Sequence, residues 1–269
     1  MTKLSGTGIN GGSPETRPTK RTRIIPVMLW MNGGFYKTVK FASPRYIGDP
    51  TNTLRIFNDK QVDELVVLDI AAARERTPPD LRALAALAGE CFMPLSYGGG
   101  IATPDTVREI LALGFEKVIV NSGAWTDRAL LPRLAGEFGT STVVASIDFS
   151  RGLLGRTHVC IYGGRKRVSI SPEEWAVELE AMGAGEILLT DMDRDGVMMG
   201  YNLDVLRRVK ASVSIPVITS GGAGNLSHLQ DAAPSCDGLA AGSMFVYQGI
   251  HRAVLVTYPT EEERCRSGL

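Results

Sequence analysis

The stretch Glu64-Leu-Val-Val-Leu-Asp69, followed by Pro94-Leu-Ser-Tyr-Gly98-Gly99-Gly100 and Val118-Ile-Val-Asn121-Ser122-Gly123, decides the fold because it occurs twice. The second copy reads Glu186-Ile-Leu-Leu-Thr-Asp191, then Pro216-Val-Ile-Thr-Ser220-Gly221-Gly222, then Gly238-Leu-Ala-Ala-Gly242-Ser243. Asp69 precedes Gly98 by 29 residues and Asp191 precedes Gly221 by 30. Each copy is a short apolar strand ending in an acid, a crossover, and an apolar strand ending in glycines. Short apolar runs at such spacing read as buried parallel strands joined by helices. A duplicated βαβαβ unit makes one ring from two equal halves.

Working outward from the repeat, strands are expected near Ile24–Leu29, Glu64–Asp69, Met93–Tyr97, Lys117–Val120, Thr142–Asp148, Ile187–Asp191, Ile215–Ser220 and Gly238–Ala241. Helical patterns lie between them, as at Pro79–Gly89, Pro104–Leu113, Asp127–Phe138, Pro172–Met182 and Leu203–Val209. Thr103-Pro104, Ser171-Pro172, Asn202 and Asn225 supply helix-start chemistry. Eight strands alternating with helices predict an α/β fold, a (β/α)8 TIM barrel with an internal two-fold half-barrel repeat over residues 23–258. An open doubly wound sheet is the alternative. Two segments interrupt the alternation. Trp30–Pro50 reads as a long, glycine-containing connection carrying Lys37, Lys40 and Arg45, and residues 151–170 read as a small hairpin.

The chain of 269 residues has room for one barrel of about 250. Its formal net charge of zero gives no global electrostatic case for nucleic acid or a membrane surface. Cys91, Cys160, Cys236 and Cys265 are scattered, so neither a disulfide framework nor a metal site is signalled, and no cofactor motif occurs. With no apolar run of roughly 18 residues and no signal-peptide core, the expected location is the cytoplasm. Residues 1–22 read as a disordered N-terminal extension and 259–269 as a charged C-terminal tail. His158, His228 and His251 fall in no catalytic pattern and are expected in surface polar roles.

In parallel barrels, chemistry sits at the C-terminal strand ends. Gly98, Gly99 and Gly100, with Asn121 and Ser122, form one candidate phosphate cradle. Ser220, Gly221 and Gly222, with Gly242 and Ser243, form the other. Backbone N–H groups there can approach a phosphate, helped by a following helix N-terminus. The same glycines also suit tight turns alone. Asp148 ends the fifth strand, where a buried acid serves either as general acid/base or as a loop-ordering cap. Asp193, Arg194 and Asp195 make a charged loop after the sixth strand.

The strings Arg23-Ile-Ile-Pro26, Gly48-Asp49-Pro50, Gly98-Gly-Gly-Ile101, Gly183-Ala-Gly-Glu-Ile-Leu-Leu-Thr190, Asp193-Arg-Asp-Gly196, Gly200-Tyr201 and Ser220-Gly-Gly-Ala-Gly-Asn225 together resemble the cyclase subunit of imidazole glycerol phosphate synthase. The resemblance covers roughly 23–256. It implies a glutaminase docked at the N-terminal face of the barrel, and ammonia passing a ring of charges to the C-terminal face. It also implies a phosphorylated small-molecule ligand, with one phosphate in each cradle, and two aspartates ending strands one and five. Arg23, Glu64, Lys117 and Glu186 match the family's charged gate, although the same four would also serve as a plain salt-bridge plug. Lys37 matches a lysine of the substrate loop.

One departure outweighs the matches. The strand-one aspartate is replaced by Leu29, and leucine transfers no proton. Met31, Val197 and Asp191 also replace family residues. Leu29, together with Asn32-Gly33-Gly34, resembles paralogues encoded with surface-polysaccharide genes. Those paralogues are thought to supply ammonia to a third enzyme that amidates or amidinates a nucleotide sugar. The expected function is therefore an ammonia-conducting barrel for such a reaction. The alternatives are a working cyclase of histidine biosynthesis, or a phosphate-binding scaffold that activates its glutaminase.

Overall fold

A computed structural model describes residues 22–152 and 155–269. All but the last residue of the N-terminal extension expected for residues 1–22 lies outside the described residues. Eight strands run in chain order: β1 (Arg23–Met31), β2 (Leu65–Asp69), β3 (Leu95–Gly98), β4 (Lys117–Val120), β5 (Val143–Arg151), β6 (Glu186–Asp191), β7 (Val217–Ser220) and β8 (Gly238–Ala241). Each pairs in parallel with the next, and β8 pairs with β1 from Arg23↔Gly238 to Pro26↔Ala241, which closes the ring. The fold is the expected (β/α)8 barrel.

Helices begin where the sequence offers an acceptor for orphan N–H groups. Thr103 caps Pro104–Ala112, Asn202 caps Leu203–Ser212, and Asn225 caps Leu226–Ala232. Ser171 and Glu174 close a reciprocal capping box on Pro172–Ala181. Two apolar layers follow from strand alternation. One, between strands and helices, includes Trp175, Phe57 and Leu54. The other fills the barrel itself with Ile25, Val27, Val66, Ile119, Val144, Leu188, Ile218 and Ala240.

The repeat has a packing origin. Gly99 and Gly221 both adopt positive φ, +135° and +87°, and both press against the acid that ends the neighbouring strand. A Cβ at Gly99 would lie 2.6 Å from the carbonyl oxygen of Asp69, and one at Gly221 would lie 2.5 Å from that of Asp191. The acids in turn hold backbone. Asp69 Oδ1 accepts from Ala72 N at 2.8 Å, and Asp191 Oδ1 accepts from Asp193 N at 2.9 Å and Arg194 N at 3.2 Å. Acid and glycine therefore recur together because each half needs the cap and the close approach at once.

Three features differ from expectation. Trp30–Pro50 is a sheet extension rather than a loop. Asn32 (φ 49°) and Gly33 (φ 78°) make a two-residue hairpin turn, so β1 runs on into the antiparallel strands Gly34–Val39 and Ala42–Gly48. Phe35 is fully buried and meets the Trp30 ring edge-on. The hairpin expected within 151–170 forms, with Thr157–Ile161 pairing against both the end of β5 and Lys166–Arg167. His228 is half-buried rather than a surface residue, its Nδ1 accepting from Gly224 N at 3.1 Å.

The charged C-terminal stretch is the third. Glu261–Arg266 is a helix opened by a Thr260–Glu263 capping box. Arg264, 3% exposed, forks onto Asp63 at 2.9 and 2.6 Å. That pair ties the chain end to the N-terminal face, beside the starts of β1 and β2. No helix among the described residues is long and apolar enough to cross a membrane. Arg264→Ala leaves Asp63 facing an empty, largely dehydrated site. The expected loss is roughly 2–3 kcal/mol, below the value for a fully buried pair because Asp63 keeps some solvent contact. Urea denaturation measures it, with Arg266→Ala, an exposed neighbour, expected within about 0.5 kcal/mol of the parent.

Candidate functional site

The C-terminal mouth of the barrel holds a cavity of about 320 Å³. Its walls bring together Leu29, Gly98, Gly99, Gly100, Asn121, Ser122, Asp148 and Ser220. Thr38, Phe41, Asp69, Arg74, Arg76, Tyr162 and Thr190 line it as well, and none of these was singled out from the sequence as a binding residue. Arg74 and Arg76 belong to the short helix Ile70–Glu75 and its left-handed cap, and Tyr162 to the hairpin after β5. Two arginines within three residues of a strand-end helix were the available signal.

The first cradle is wired to Asp148. Tyr162 N–H donates to Ser122 Oγ at 2.8 Å, and Ser122 Oγ donates to Asn121 Oδ1 at 3.0 Å. Asn121 Nδ2 then donates to Asp148 Oδ2 at 3.1 Å and to Ser146 O at 3.2 Å. This chain fixes which edge of the Asn121 amide faces the carboxyl group. Burial, followed by the nearby charge of Asp195, pushes the Asp148 carboxyl up to about 7. Such a group can hold or release a proton near neutrality. Across the floor from it, at the end of β1, stands the Leu29 side chain.

The second turn has different surroundings. Ser220 reaches the cavity wall, while Gly200 and Arg194 lie against Gly222 and the hairpin after β1 packs on Gly242 and on the loop after β6. A Cβ at Gly242 would come within 2.6 Å of Lys37 Nζ, and one at Gly196 would strike the carbonyl of Thr38. Lys37 is 4% exposed, its Nζ donating to Val27 O, and burial pulls its ammonium down to about 7 despite the attraction of Asp195. The hairpin is held down by Asp195, which accepts from Thr38 Oγ1 at 2.6 Å and Phe41 N at 3.1 Å. Gly222 and Ser243 are both buried.

At the opposite end of the barrel, Arg23, Glu64, Lys117 and Glu186 form a closed ring of alternating charge. Arg23 bonds Glu64 at 2.5 Å and also Glu186, while Lys117 bonds Glu186 at 2.8 Å and approaches Glu64 at 3.6 Å. Ser96 Oγ donates to Glu64 at 2.9 Å. The two glutamates are buried and the two cations half-buried. Between this ring and the cavity lies the apolar layer of Ile25, Val66, Val144, Leu188 and Ile218.

Comparison with known proteins agrees with the geometry. The model of the family described as "Histidine biosynthesis protein" matches residues 23–252. A Leptospira interrogans protein is 47% identical over 247 residues, 91% of this chain and 97% of its own length. A Pseudomonas aeruginosa protein is 46% identical over 241 residues, 89% of this chain and 96% of its own. Both carry names that assign them provisionally to the HisF subunit of imidazole glycerol phosphate synthase. An Alkaliphilus metalliredigens protein named imidazole glycerol phosphate synthase subunit HisF is 39% identical over 230 residues, 85% of this chain and 91% of its own. With a closed eight-stranded barrel and that likeness over nearly all of its length, the chain belongs to the histidine biosynthesis protein family, as a barrel of the HisF-like cyclase-subunit kind.

Proposed function

We propose that this barrel conducts ammonia from a glutaminase subunit at its N-terminal face to its C-terminal mouth, where a phosphorylated ligand binds, and that it no longer closes an imidazole ring itself. The observation that carries the reading is the contrast between its two ends. The charged ring is complete, while the proton-transfer position on strand one is Leu29.

The physics of the interior supports a conduit. An ammonium ion entering the layer of Ile25, Val66, Val144, Leu188 and Ile218 would lose its hydration without compensation. Neutral ammonia carries no such penalty. The ring above water and below that layer can part by shifting one cation between two carboxylates, because each glutamate already serves both Arg23 and Lys117. The recipient fits an enzyme outside the barrel. On the resemblance carried by Leu29 and the Asn32-Gly33-Gly34 turn, its product is an amidated or amidinated nucleotide sugar of surface polysaccharide.

Retained Asp148 and Lys37, both brought near 7, are the specific observation favouring the second reading, a surviving cyclase of histidine biosynthesis. Ring closure that depends on an acid/base pair should fall by roughly 100- to 10,000-fold when one member is absent.

Three measurements check these statements. Purified protein given ammonia and the cyclase substrate of the family should show ring closure at least about 100-fold below that of a cyclase with both aspartates; family-typical rates would overturn the proposal. In the complex with its glutaminase, Glu64→Ala and Lys117→Ala should cut glutamine-dependent product by roughly tenfold while leaving ammonium-dependent product near the parent level. Unchanged glutamine dependence in both variants would remove the conduit. Finally, the raised Asp148 carboxyl makes the native state lose stability as pH climbs from 3.8 toward about 7, where the native state holds the proton longer than the unfolded chain. Asp148→Asn should therefore melt higher than the parent at pH 8, with the gap closing at pH 4.

A further inference from the structure

The two halves of the barrel are not equivalent at the mouth, and the difference bears on what can bind. The first glycine turn lines the cavity, whereas of the second turn only Ser220 does. Lys37 Nζ occupies the space over Gly242, and Thr38 presses on Gly196. Asp191 lies against Gly221 through its backbone, and Gly200 and Arg194 lie against Gly222. A phosphate reaching the glycines of this turn would have to move Gly200 and Arg194 away from Gly222 and the Lys37 ammonium, already bonded to Val27 O, away from Gly242.

Positive charge gathers instead on the first-half rim. Arg74 and Arg76 line the cavity and also a shallower depression beside it, which Arg165 and Lys166 border together with Glu75. The rim is built rather than loose. Arg74 donates to Phe41 O at 2.6 Å, Arg165 donates to Arg74 O at 3.1 Å, and the Arg76 guanidinium lies 4.0 Å from the centre of the Tyr162 ring. Four cations against one acid stand out in a chain whose net charge is zero. Arginine forks of this kind suit phosphate and diphosphate oxygens.

We infer that the cavity takes a ligand whose negative charge is gathered at one end, a phosphate or diphosphate ester seated on the first-half turn and the arginine rim, rather than a molecule with a phosphate at each end. The remainder of the ligand is uncharged and lies along Leu29, Leu68 and Ile119 toward the floor, where the wall is apolar. This rests on the reading that a phosphorylated ligand binds at the mouth, and it names the class of that ligand.

Inorganic phosphate, fructose 6-phosphate and fructose 1,6-bisphosphate serve as probes for calorimetric titration of the full chain. One phosphate per chain is expected, with the bisphosphate binding no more than about twofold tighter than the monophosphate. Arg76→Ala and Asn121→Asp should each weaken phosphate by roughly tenfold or more. A crystal soaked in phosphate should show density at Gly98–Gly100 and none at Gly221–Gly222. Two phosphates per chain, a bisphosphate preference of roughly tenfold, or density at the second turn would overturn the inference. So would no phosphate uptake at about 10 mM. These outcomes are separable from the conduit: the ring variants Glu64→Ala and Lys117→Ala lie at the other end of the barrel and leave phosphate stoichiometry unchanged.

Discussion

The contact between each strand-ending acid and the glycine of the next strand governs much of what this barrel can be. Asp69 and Gly99 form one such contact and Asp191 and Gly221 the other. Any side chain at either glycine would meet carbonyl oxygen at a separation real Cβ atoms do not adopt. The acid then organises the loop that follows, by accepting its first N–H groups. Turn, cap and strand pairing are thereby locked together in each half. The C-terminal mouth inherits part of its shape from this lock: Gly98, Gly99 and Gly100 line it with no side chains of their own.

Down the axis, strand alternation sorts the interior into layers of different character. Arg23, Glu64, Lys117 and Glu186 form the lowest, an apolar layer follows, and polar groups return at Ser146, Asp148, Asn121 and Ser220. Two buried glutamates shared by two cations satisfy one another, so the lowest layer is a neutral assembly despite its four charges. Burying it is tolerable only because every carboxylate has a cation and Glu64 has Ser96 besides.

Much of this was readable in the chain. The eight strands and the helix starts at Thr103, Ser171, Asn202 and Asn225 follow from local pattern, and the four ring residues from the family resemblance. What escaped depends on contacts between distant segments. The Trp30–Pro50 segment looked like a loop because its alternation is broken by Lys37, whose burial is intelligible only once Val27 O and Asp195 are in place. The C-terminal helix looked like a solvated tail because Arg264 reads as a surface cation until Asp63 lies under it. Arg74 and Arg76, on the helix after β2 and its cap, meet Tyr162 of the hairpin after β5, and only the pair of arginines was visible in the local sequence. The repeat itself pointed to two equal cradles, and the structure opens the cavity onto Gly98–Gly100 but, of the second turn, only onto Ser220.

The hairpin after β1 also bears on Leu29. At the ends of β2 and β6 the acid holds the N–H groups of a turning backbone, so losing it would leave donors without a partner. At the end of β1 no helix starts: the strand runs straight on, and Leu29 simply pairs with Tyr36 across the extension. Position 29 therefore has no capping duty, and its side chain can change in a single replacement while every contact that builds the mouth stays in force.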